Sequence, residues 1–396
     1  MNMNEQMKES EESILHTYNR FPVVFEKGQG CYLYDSEGKE YLDFAAGIAV
    51  NSLGYHYPGY DEALKDQIDK LMHISNLYYN EPIIEAGAKL VKASKMSKAF
   101  FTNSGTEAIE GALKAAKKYA YVRDGHADHE IIAMNHSFHG RSIGALSVTG
   151  TAHYREPFEP LMGGVKFADF NDLESVKAHI TDKTCAIITE VVQGEGGIYP
   201  AKKEFLEGLR QICDEKDIML IFDEIQCGMG RTGHYFAWQA YGVQPDIMTS
   251  AKALGCGVPV GAFVLGEKAA KASLEPGDHG TTYGGNPFVC AAVSKVFDIY
   301  ENDKIIEHVQ EMTPYLEQKL DEIVAKHECA ATRRGMGFMQ GIVIQGRSVG
   351  EVVKAALAKG LLVISAGSDV LRIVPPLVIT KEHIDKMAAI LDECME

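Results

Sequence analysis

The chain has 396 residues, of which 46% are hydrophobic and 24% charged, and its formal net charge at pH 7 is -16. Such a chain is long enough for a large and a small core, and its acidity argues against nucleic acid or an anionic membrane as a partner. The sequence contains no apolar run that could span a bilayer, no secretory signal near its start and no CxxC pair among its eight cysteines. These features predict a cytoplasmic protein with reduced thiols.

Near the N-terminus, residues 30–44 (GCYLYDSEGKEYLDF) have a hairpin-like pattern. The segment lies before the alternating strands and helices of the middle of the chain. We therefore expect residues 1–50 to join the C-terminal part of the chain in a small domain.

In the middle of the chain, short apolar runs alternate with longer stretches of helical periodicity. Apolar residues recur at helical spacing within 107–122, and a second helix is predicted at 202–217. Buried strands are predicted for the apolar runs at 98–103, 130–135, 185–192, 218–224 and 261–266. This alternation predicts an α/β domain with a mostly parallel sheet flanked by helices.

Beyond residue 300 the pattern changes. Residues 301–327 are predicted to form a long amphipathic helix, followed by short strands and a final helix near 380–395. We expect residues 51–300 to form the large, cofactor-binding domain and residues 301–396 to form the C-terminal small α+β domain.

Three motifs are expected beyond the carboxyl ends of the predicted strands, where open α/β sheets bind their ligands. The first, FFTNSGTEA at 100–108, runs from a strand through a glycine turn into a helix. Ser104 and Glu107 fit a capping box, and the N–H groups beyond Gly105 are suited to hold a phosphate. Taken alone, the motif is more typical of a plain helix N-cap without a ligand.

The other two motifs each place one charged residue in apolar surroundings. Asp223, in LIFDEIQCG at 220–228, ends a very apolar strand, where a carboxylate needs a cation or a hydrogen-bond donor. A structural ion pair would meet that need equally well. Lys252, in AKALGCGVPVGAFVLG at 251–266, follows among small and apolar residues, although most lysines are simply solvated.

Together, the three motifs predict a pyridoxal phosphate site. The helix N-terminus would hold the phosphate, Asp223 would keep the pyridinium nitrogen protonated, and Lys252 would bind the aldehyde. Burial lowers the pKa of a lysine, which makes its amine a better nucleophile.

The segment GMGRTG at 228–233 supports a competing hypothesis, an NAD(P)-dependent oxidoreductase, because it satisfies the GxGxxG pattern of dinucleotide sites. However, Asp223 and Gln226 separate it from the preceding strand, and no helix with core spacing opens on its third glycine. The acidic residue expected about 20 positions later is also missing. This hypothesis is therefore the weaker one.

Two histidine pairs, His126/His129 and His136/His139, have HxxH spacing. Both lack the HExxH spacing of zinc sites, and we expect no carboxylate near either pair. We therefore predict loop or core histidines and no metal site.

Several longer motifs occur together and in a fixed order. They are FPVVFEKGQGCYLYDSEGKEYLDFAAGIAVNSLG, NSGTEA, NHSFHGRSIGALSVTG, QGEGG, FDEIQCGMGRTG, PDIMTSAKALG, TTYGGNP and LRIVPPLV. From about residue 14 to the C-terminus, the chain thereby resembles the class III aminotransferases of fold type I. The resemblance implies a pyridoxal 5'-phosphate enzyme and a homodimer with shared active sites, and it is strongest to members that act on N-acetylornithine.

The resemblance also implies cofactor contacts. Lys252 would carry the cofactor and shuttle a proton, and Asp223 would bind its ring nitrogen. The other implied contacts are Gln226 at the phenolic oxygen, Phe138 stacked on the ring, Gly105 and Thr106 at the phosphate, and Thr282 at the phosphate of the neighbouring subunit. Taken alone, Phe138 would be a core residue and Thr282 a turn residue.

Substrate binding is implied for a further set of charged residues. Two arginines suit a substrate with two carboxylates, because their planar forks bind such groups bidentately. Arg372 would bind the α-carboxylate of glutamate and Arg141 its distant carboxylate, while Glu195 would pair with Arg372 until glutamate displaces it. Tyr18 stands where ornithine-type relatives use a tyrosine against the carboxylate. Without the motifs, each arginine would be read as part of a surface or structural salt bridge.

The implied reaction moves the terminal amino group of N2-acetylornithine to 2-oxoglutarate, giving N-acetylglutamate 5-semialdehyde and glutamate, in arginine biosynthesis. The FHGR motif favours an acetylated substrate, with ornithine, succinylornithine, N-acetyl-lysine-type substrates and 4-aminobutyrate as alternatives. A rival hypothesis from another class is a non-catalytic cofactor-binding protein. Such a protein would not require two substrate arginines or the pair of Glu195 and Arg372, which we call the gate. Two departures from the family pattern are Cys256, where a glycine is expected beside Lys252, and Glu190-Val191 in place of Glu-Pro.

Overall fold

The computed structural model describes residues 2–396, which form fifteen helices and seventeen strands. The helices are α1 (Met3–Ser13), α2 (Ala46–Ala49), α3 (Tyr60–Lys70), α4 (Glu81–Ser94), α5 (Gly105–Asp124), α6 (Ile143–Ser147), α7 (Ala152–Arg155), α8 (Leu173–His179), α9 (Lys203–Lys216), α10 (Trp238–Tyr241), α11 (Glu267–Ala272), α12 (Pro287–Asn302), α13 (Ile305–Lys326), α14 (Val349–Ala358) and α15 (Lys381–Met395). Short 3-10 turns occupy Glu156–Phe158 and Lys252–Leu254.

The strands form three larger sheets and one two-stranded sheet. They are β1 (Phe25–Gln29), β2 (Tyr32–Asp35), β3 (Glu40–Asp43), β4 (Lys98–Thr102), β5 (Glu130–Met134), β6 (Val165–Ala168), β7 (Thr184–Glu190), β8 (Val192–Gln193), β9 (Tyr199–Pro200), β10 (Met219–Asp223), β11 (Ile247–Ser250), β12 (Gly261–Leu265), β13 (Ala330–Met336), β14 (Met339–Ile344), β15 (Leu361–Leu362), β16 (Ile364–Ala366) and β17 (Val370–Ile373).

The central sheet has seven strands in the order β4-β12-β11-β10-β7-β5-β6. Only β12 runs antiparallel to its neighbours, so the predicted α/β fold with a mostly parallel sheet is confirmed. Every residue of β7 and of β10 is buried, as expected for strands that are covered on both faces. Their carboxyl ends carry Glu190 and Asp223, which lie opposite each other in the register.

Helix α5 covers one face of this sheet and explains the small residues in its sequence. Its buried side includes Ala112 and Ala116, which let the helix lie close to the strands. At Gly111, an added Cβ atom would lie 2.2 Å from the ring of Phe263 in β12, so only glycine fits there. This packing fixes the N-terminus of α5 beside the carboxyl end of β4.

The two outer sheets have the orders β1-β2-β3-β15 and β13-β14-β17-β16. The predicted hairpin at 30–44 is present as β2 and β3, and β3 also pairs in parallel with β15 from the C-terminal part of the chain. The long helix predicted at 301–327 starts later, at Ile305, because α12 ends at Asn302 and Lys304 has a left-handed φ of 54°. The division into domains near residues 50 and 300 stays a prediction.

Two features of the sequence have direct structural counterparts. None of the helices within residues 2–396 is long and apolar enough to cross a membrane. The eight cysteines all lie in the described chain and are free thiols.

Candidate active site

A cavity of about 490 Å³ lies at the carboxyl ends of the central strands. The structure brings most of the predicted site residues to its wall: Gly105, Thr106, Phe138, Arg141, Glu195, Asp223, Gln226 and Lys252. They come from different elements of the central sheet and its loops, which is the expected location of a ligand site in an open α/β sheet.

The N-terminus of the 20-residue helix α5 forms one side of the cavity. Ser104 caps the helix by accepting a hydrogen bond from the Glu107 N–H at 3.3 Å, as predicted. The capping box is incomplete, however, because the Glu107 carboxylate accepts from the N–H of Asn103 at 2.7 Å and not from that of Ser104. An added Cβ at Gly105 would lie 2.9 Å from Ile225, so glycine keeps this end of the helix compact. The first N–H groups of a helix lack intrahelical acceptors and favour an anion.

At the same helix end, the Thr106 hydroxyl is occupied by hydrogen bonds with Ser142. Its hydroxyl is already engaged with the Ser142 hydroxyl at 2.7 Å and accepts from the Ser142 N–H at 3.2 Å. A phosphate at this position would therefore find the Thr106 backbone N–H rather than a free hydroxyl.

Lys252 follows β11 after a single residue and begins a 3-10 turn. Its φ of 49° lies in the left-handed region, an unfavourable backbone conformation for a lysine and one that is frequent at functional sites. Burial lowers the pKa of Lys252 to about 8, and the positive charge of Arg372 acts in the same direction, against the opposing effect of Glu195. The side chain remains partly exposed to the cavity, so its amine is both accessible and easily deprotonated.

The lowered pKa of Lys252 predicts the pH dependence of its reactivity. In cofactor-free protein, the rate of reaction with pyridoxal phosphate should rise with pH and level off above about 8, because only the neutral amine attacks an aldehyde. Stopped-flow absorbance measured between about pH 6 and 10 checks this, with Lys252→Ala as the control for other amines. A rate that keeps rising to about pH 10 would show an ordinary lysine.

Asp223 is held in place by three donors at the end of β10. Its Oδ2 lies 2.7 Å from the His139 Nδ1, and its Oδ1 accepts from the Thr249 hydroxyl at 3.1 Å and from the Ile225 N–H at 3.0 Å. Asp223 and His139 are both buried. The prediction that His139 is a core histidine is correct, but its contact with Asp223 was missed, because 84 positions separate the two in sequence.

Glu190 is a second buried carboxyl at the cavity and was not predicted as a site residue. Burial, together with the neighbouring Asp223 carboxylate, raises the pKa of Glu190 well above its ordinary range. Its Oε2 has no hydrogen-bond partner among residues 2–396. The only signal in the sequence was its position at the end of an apolar strand, next to the departure at Val191.

Aromatic residues surround the exposed end of the cavity. Phe138 lies in its wall, with its ring 6.0 Å from that of Tyr154 in an edge-on arrangement. The exposed Arg141 guanidinium lies over both rings, 4.2 Å from the centroid of Tyr154 and 5.3 Å from that of Phe138. A cation held on aromatic faces keeps its outer N–H groups available for a carboxylate.

Arg372 lies on β17, in the middle of a C-terminal sheet, and contacts the cavity-lining residues Glu195 and Gln226 without lining the cavity itself. It is only 3% exposed, and its Nη1 pairs with the Glu195 carboxylate and donates to the Gln226 Oε1 at 3.1 Å. Burial opposes ionisation of Glu195, yet the charge of Arg372 and the hydrogen bond between them hold the pKa of Glu195 below its ordinary value. The predicted pairing of these two residues is therefore present in the structure.

Thr282 and Tyr18 also lie outside the cavity wall of this chain. Thr282 is exposed, although the adjacent Thr281 hydroxyl accepts from the Asn103 side chain at 3.2 Å and so ties this loop to the cavity. Tyr18 is 72% exposed and does not line the cavity. Their roles in substrate or cofactor binding stay predictions.

Cys256, the departure beside Lys252, points away from the cavity wall. It is buried, is not a lining residue, and its Sγ accepts from the Leu53 N–H at 3.3 Å. Its φ of 45° explains why a glycine would suit this position. A cysteine in place of the family's glycine therefore does not narrow the cavity beside Lys252.

The structure also shows the surroundings of two other motifs, the GxGxxG segment and the pair of His126 and His129. The segment 228–233 forms a series of turns, and no helix of the described chain starts at Gly233, as a dinucleotide fingerprint would require. Asp124 lies beside His126 and His129, so the statement that this pair lacks a nearby carboxylate is wrong. Arg123 binds both oxygens of that carboxylate, at 2.6 Å each, so it is already part of an ion pair.

The assembled groups fit pyridoxal phosphate. The cavity offers a helix N-terminus for the phosphate, a buried carboxylate for a ring nitrogen and an amine of lowered pKa for the aldehyde. Orphaned polar atoms point to the same conclusion, since the buried Nε2 of His139 and Oε2 of Glu190 lack partners in the described chain.

Comparison with known proteins agrees with this geometry. The model of the family "Aminotransferase class-III" matches residues 14–395. The chain is 47% identical to an acetylornithine aminotransferase of Clostridium acetobutylicum, over 98% of this chain and all of that one, and 48% identical to one of Methanocaldococcus jannaschii, over 96% and 95%. A crystal structure of ornithine aminotransferase from Toxoplasma gondii superimposes with a TM-score of 0.95, at 28% identity, over 100% of this chain and 95% of that one.

Proposed function

Because this chain belongs to the class III aminotransferases, a pyridoxal 5'-phosphate-dependent family, we propose that it moves the terminal amino group of N2-acetylornithine to 2-oxoglutarate. The products would be N-acetylglutamate 5-semialdehyde and glutamate, as in arginine biosynthesis. The observation that carries the proposal is the contrast between two arginines: Arg372 is neutralised by Glu195, while Arg141 is exposed at the cavity mouth. The similarity to acetylornithine aminotransferases over nearly the whole chain supports it.

The bound cofactor supplies an electron sink for the carbon that loses or gains a proton. Lys252 would hold it through the side-chain amine and would move that proton, since its lowered pKa makes both protonation states accessible. Asp223, fixed by His139 and Thr249, would keep the ring nitrogen protonated. Phe138 would pack against the ring face.

The remaining cofactor contacts come from loop and helix termini. Backbone N–H groups of Gly105 and Thr106 would bind the phosphate at the start of α5, where the helix dipole favours an anion. Gln226 would hold the phenolic oxygen through its carboxamide. These contacts would fix the position of the cofactor relative to Lys252.

Substrate choice follows from the charges. The α-carboxylate of N-acetylornithine binds Arg141 when its terminal amine points to Lys252, and Arg372 then keeps Glu195 as its counterion. Glutamate brings two carboxylates, of which one binds Arg141 and the other replaces Glu195 at Arg372. The ion pair lowers the cost of a buried arginine that has no substrate anion. Tyr18 would contact the first carboxylate only if its segment moved toward the cavity.

The visible absorption spectrum of purified protein tests the proposal directly. N-acetylornithine should bleach the band of the lysine-bound cofactor more efficiently than ornithine, succinylornithine or 4-aminobutyrate, and 2-oxoglutarate should restore it. A band bleached best by another amine would keep the chemistry and change the substrate. The absence of a band after addition of pyridoxal phosphate would contradict the cofactor site.

The gate makes a specific prediction for Glu195. In Glu195→Ala and Glu195→Gln, the half-reaction with N-acetylornithine should slow by about tenfold or more, because Arg372 is left charged and unpaired beside it. The half-reaction with glutamate should be spared, since its carboxylate replaces the missing one. Single-turnover absorbance measures both rates separately. Equal losses for the two donors would remove the gate.

A homodimer is part of the same proposal. Thr282 would contact the phosphate held by the partner subunit, which accounts for its exposure and its place outside the cavity of its own chain. Large apolar side chains near this loop are also exposed, among them Leu77, Tyr79 and Tyr283. Sedimentation of the purified protein, combined with the cofactor affinity of Thr282→Ala, tests this arrangement.

A further inference from the structure

The carboxamide of Gln226 lies between the two charged groups of the gate. Its Nε2 donates to the Glu195 Oε1 at 3.2 Å, and its Oε1 accepts from the Arg372 Nη1 at 3.1 Å. The same Oε1 of Glu195 also accepts from Arg372 directly. The three side chains therefore form a closed ring of hydrogen bonds, although they come from three separate segments of the chain.

Chemistry fixes the orientation of this carboxamide. Arginine can only donate hydrogen bonds and an ionised carboxylate can only accept them, so the amide oxygen must face Arg372 and the amide nitrogen must face Glu195. The lowered pKa of Glu195 agrees with an ionised carboxylate, for which Gln226 is one of the stabilising donors. A rotation of the amide would break both contacts at once.

Gly194 holds the carboxamide from the other side. A Cβ added there would lie 2.5 Å from the Gln226 Oε1 and 2.6 Å from its Cδ, closer than any real side chain allows. The glycine does not have a left-handed φ, so its backbone would accept alanine. Space for Gln226, rather than backbone freedom, is therefore the reason for glycine next to Glu195.

We propose that Gln226 is the latch of the gate, a positioning residue that holds Glu195 on Arg372 until a dicarboxylate substrate displaces it. The inference rests on the gate of the proposed function and adds to Gln226 a second role besides its cofactor contact. The Nε2 bond to Glu195 exists only in the closed gate, whereas the Oε1 bond to Arg372 can persist when Glu195 leaves. The latch thus stabilises the closed gate relative to the open one.

Binding of glutarate, an unreactive dicarboxylate, to the cofactor-saturated protein tests the latch by calorimetry. In Gln226→Ala, glutarate should bind about three- to tenfold more tightly, because one hydrogen bond to a charged group no longer opposes opening. In the Glu195→Ala background, the same substitution should have no effect on glutarate affinity, since the latch has nothing to hold. Such non-additivity identifies a direct coupling between the two residues.

Two further variants separate the latch from other roles of Gln226. Gly194→Ala retains the glutamine but displaces its carboxamide. It should reproduce the tighter glutarate binding when Glu195 is present and have no effect in the Glu195→Ala background. Gln239→Ala removes a partly buried glutamine outside the cavity and should leave glutarate affinity unchanged. The KM for the terminal-amine donor should rise in Gln226→Ala and in Gly194→Ala, while the KM for glutamate falls.

The outcomes distinguish the latch from the proposed function. Unchanged or weaker glutarate binding in Gln226→Ala, or an equal change with and without Glu195, would overturn the latch and leave Gln226 as a cofactor ligand only. A protein that prefers another amine to N-acetylornithine would change the proposed substrate without touching this result, because glutarate imitates the dicarboxylate that all these donors share as partner.

Discussion

Lys252→Ala is expected to lower turnover by about 10³-fold or more, because it removes the residue that both holds the cofactor and moves the proton. The variant should nevertheless fold. Lys252 is the only lysine among the described residues that line the cavity, and its ammonium is destabilised by burial, so its removal relieves a cost in the native state. Steady-state rates, the visible band of the bound cofactor and thermal unfolding measure these three effects separately.

The sign of the stability effect follows from the pKa. The folded-state pKa of Lys252 lies near 8, below its ordinary value of 10.5, so the native protein binds fewer protons than the unfolded chain between these values. Its contribution to stability is therefore unfavourable below about pH 8 and fades as the pH approaches 10.5. Lys203→Ala, at an exposed lysine on α9, is the matched control and should retain turnover. Wild-type-like activity in Lys252→Ala would contradict the role of Lys252 in cofactor binding and proton transfer.

The strands of the central sheet show what local sequence can and cannot reveal. Among the five predicted strands, β7, β10 and β12 are buried at every position, as expected for mostly apolar strands that are covered on both faces. Strands β4 and β5 begin with the charged residues Lys98 and Glu130, but their apolar centres were sufficient to predict them. Strands β6 and β11 were not predicted, because each is only four residues long and contains a polar residue. In both, pairing with a neighbouring strand outweighs the weak local pattern.

The site also contains residues that the sequence reveals and contacts that only the structure reveals. Lys252 and Asp223 could be found from the sequence because each is a charged residue in an apolar run, which demands an explanation. The contacts that tune them could not, because His139 reaches Asp223 across 84 positions and Arg372 reaches Glu195 across 177. Only the tertiary fold determines such distances.

The role of Gln226 as a latch also depends on contacts between residues that are far apart in the sequence. Nothing in QGEGG or FDEIQCG indicates that Gly194 leaves space for Gln226. The motif resemblance assigns Gln226 to the cofactor, and the structure adds its position between Glu195 and Arg372. A residue that contacts two functional groups cannot be assigned from a pattern that records only one of them.

Asp223→Asn is expected to lower the rates of both half-reactions by about 10²-fold or more, because a neutral amide cannot stabilise a protonated ring nitrogen. It should also lower the free energy of unfolding by about 1–3 kcal/mol, since one of the three donors around the carboxylate then faces an amide N–H. The Ile225 N–H is the donor least able to adapt, because a backbone N–H can only donate, whereas the His139 ring can change its tautomer. Urea unfolding and single-turnover kinetics measure the two effects.

The matched control is Asp246, which directly precedes β11 and contacts β10 near the end opposite to Asp223. Asp246 accepts from the Leu220 N–H at 2.8 Å and pairs with Arg210 at 2.9 Å, so Asp246→Asn also weakens a partly buried carboxylate network. It should cost stability but leave both half-reactions intact, because Asp246 does not line the cavity. Equal kinetic losses in the two variants would mean that Asp223 acts through folding alone. A loss confined to Asp223→Asn, the same for every donor, separates its role from that of Glu195, which discriminates between donors.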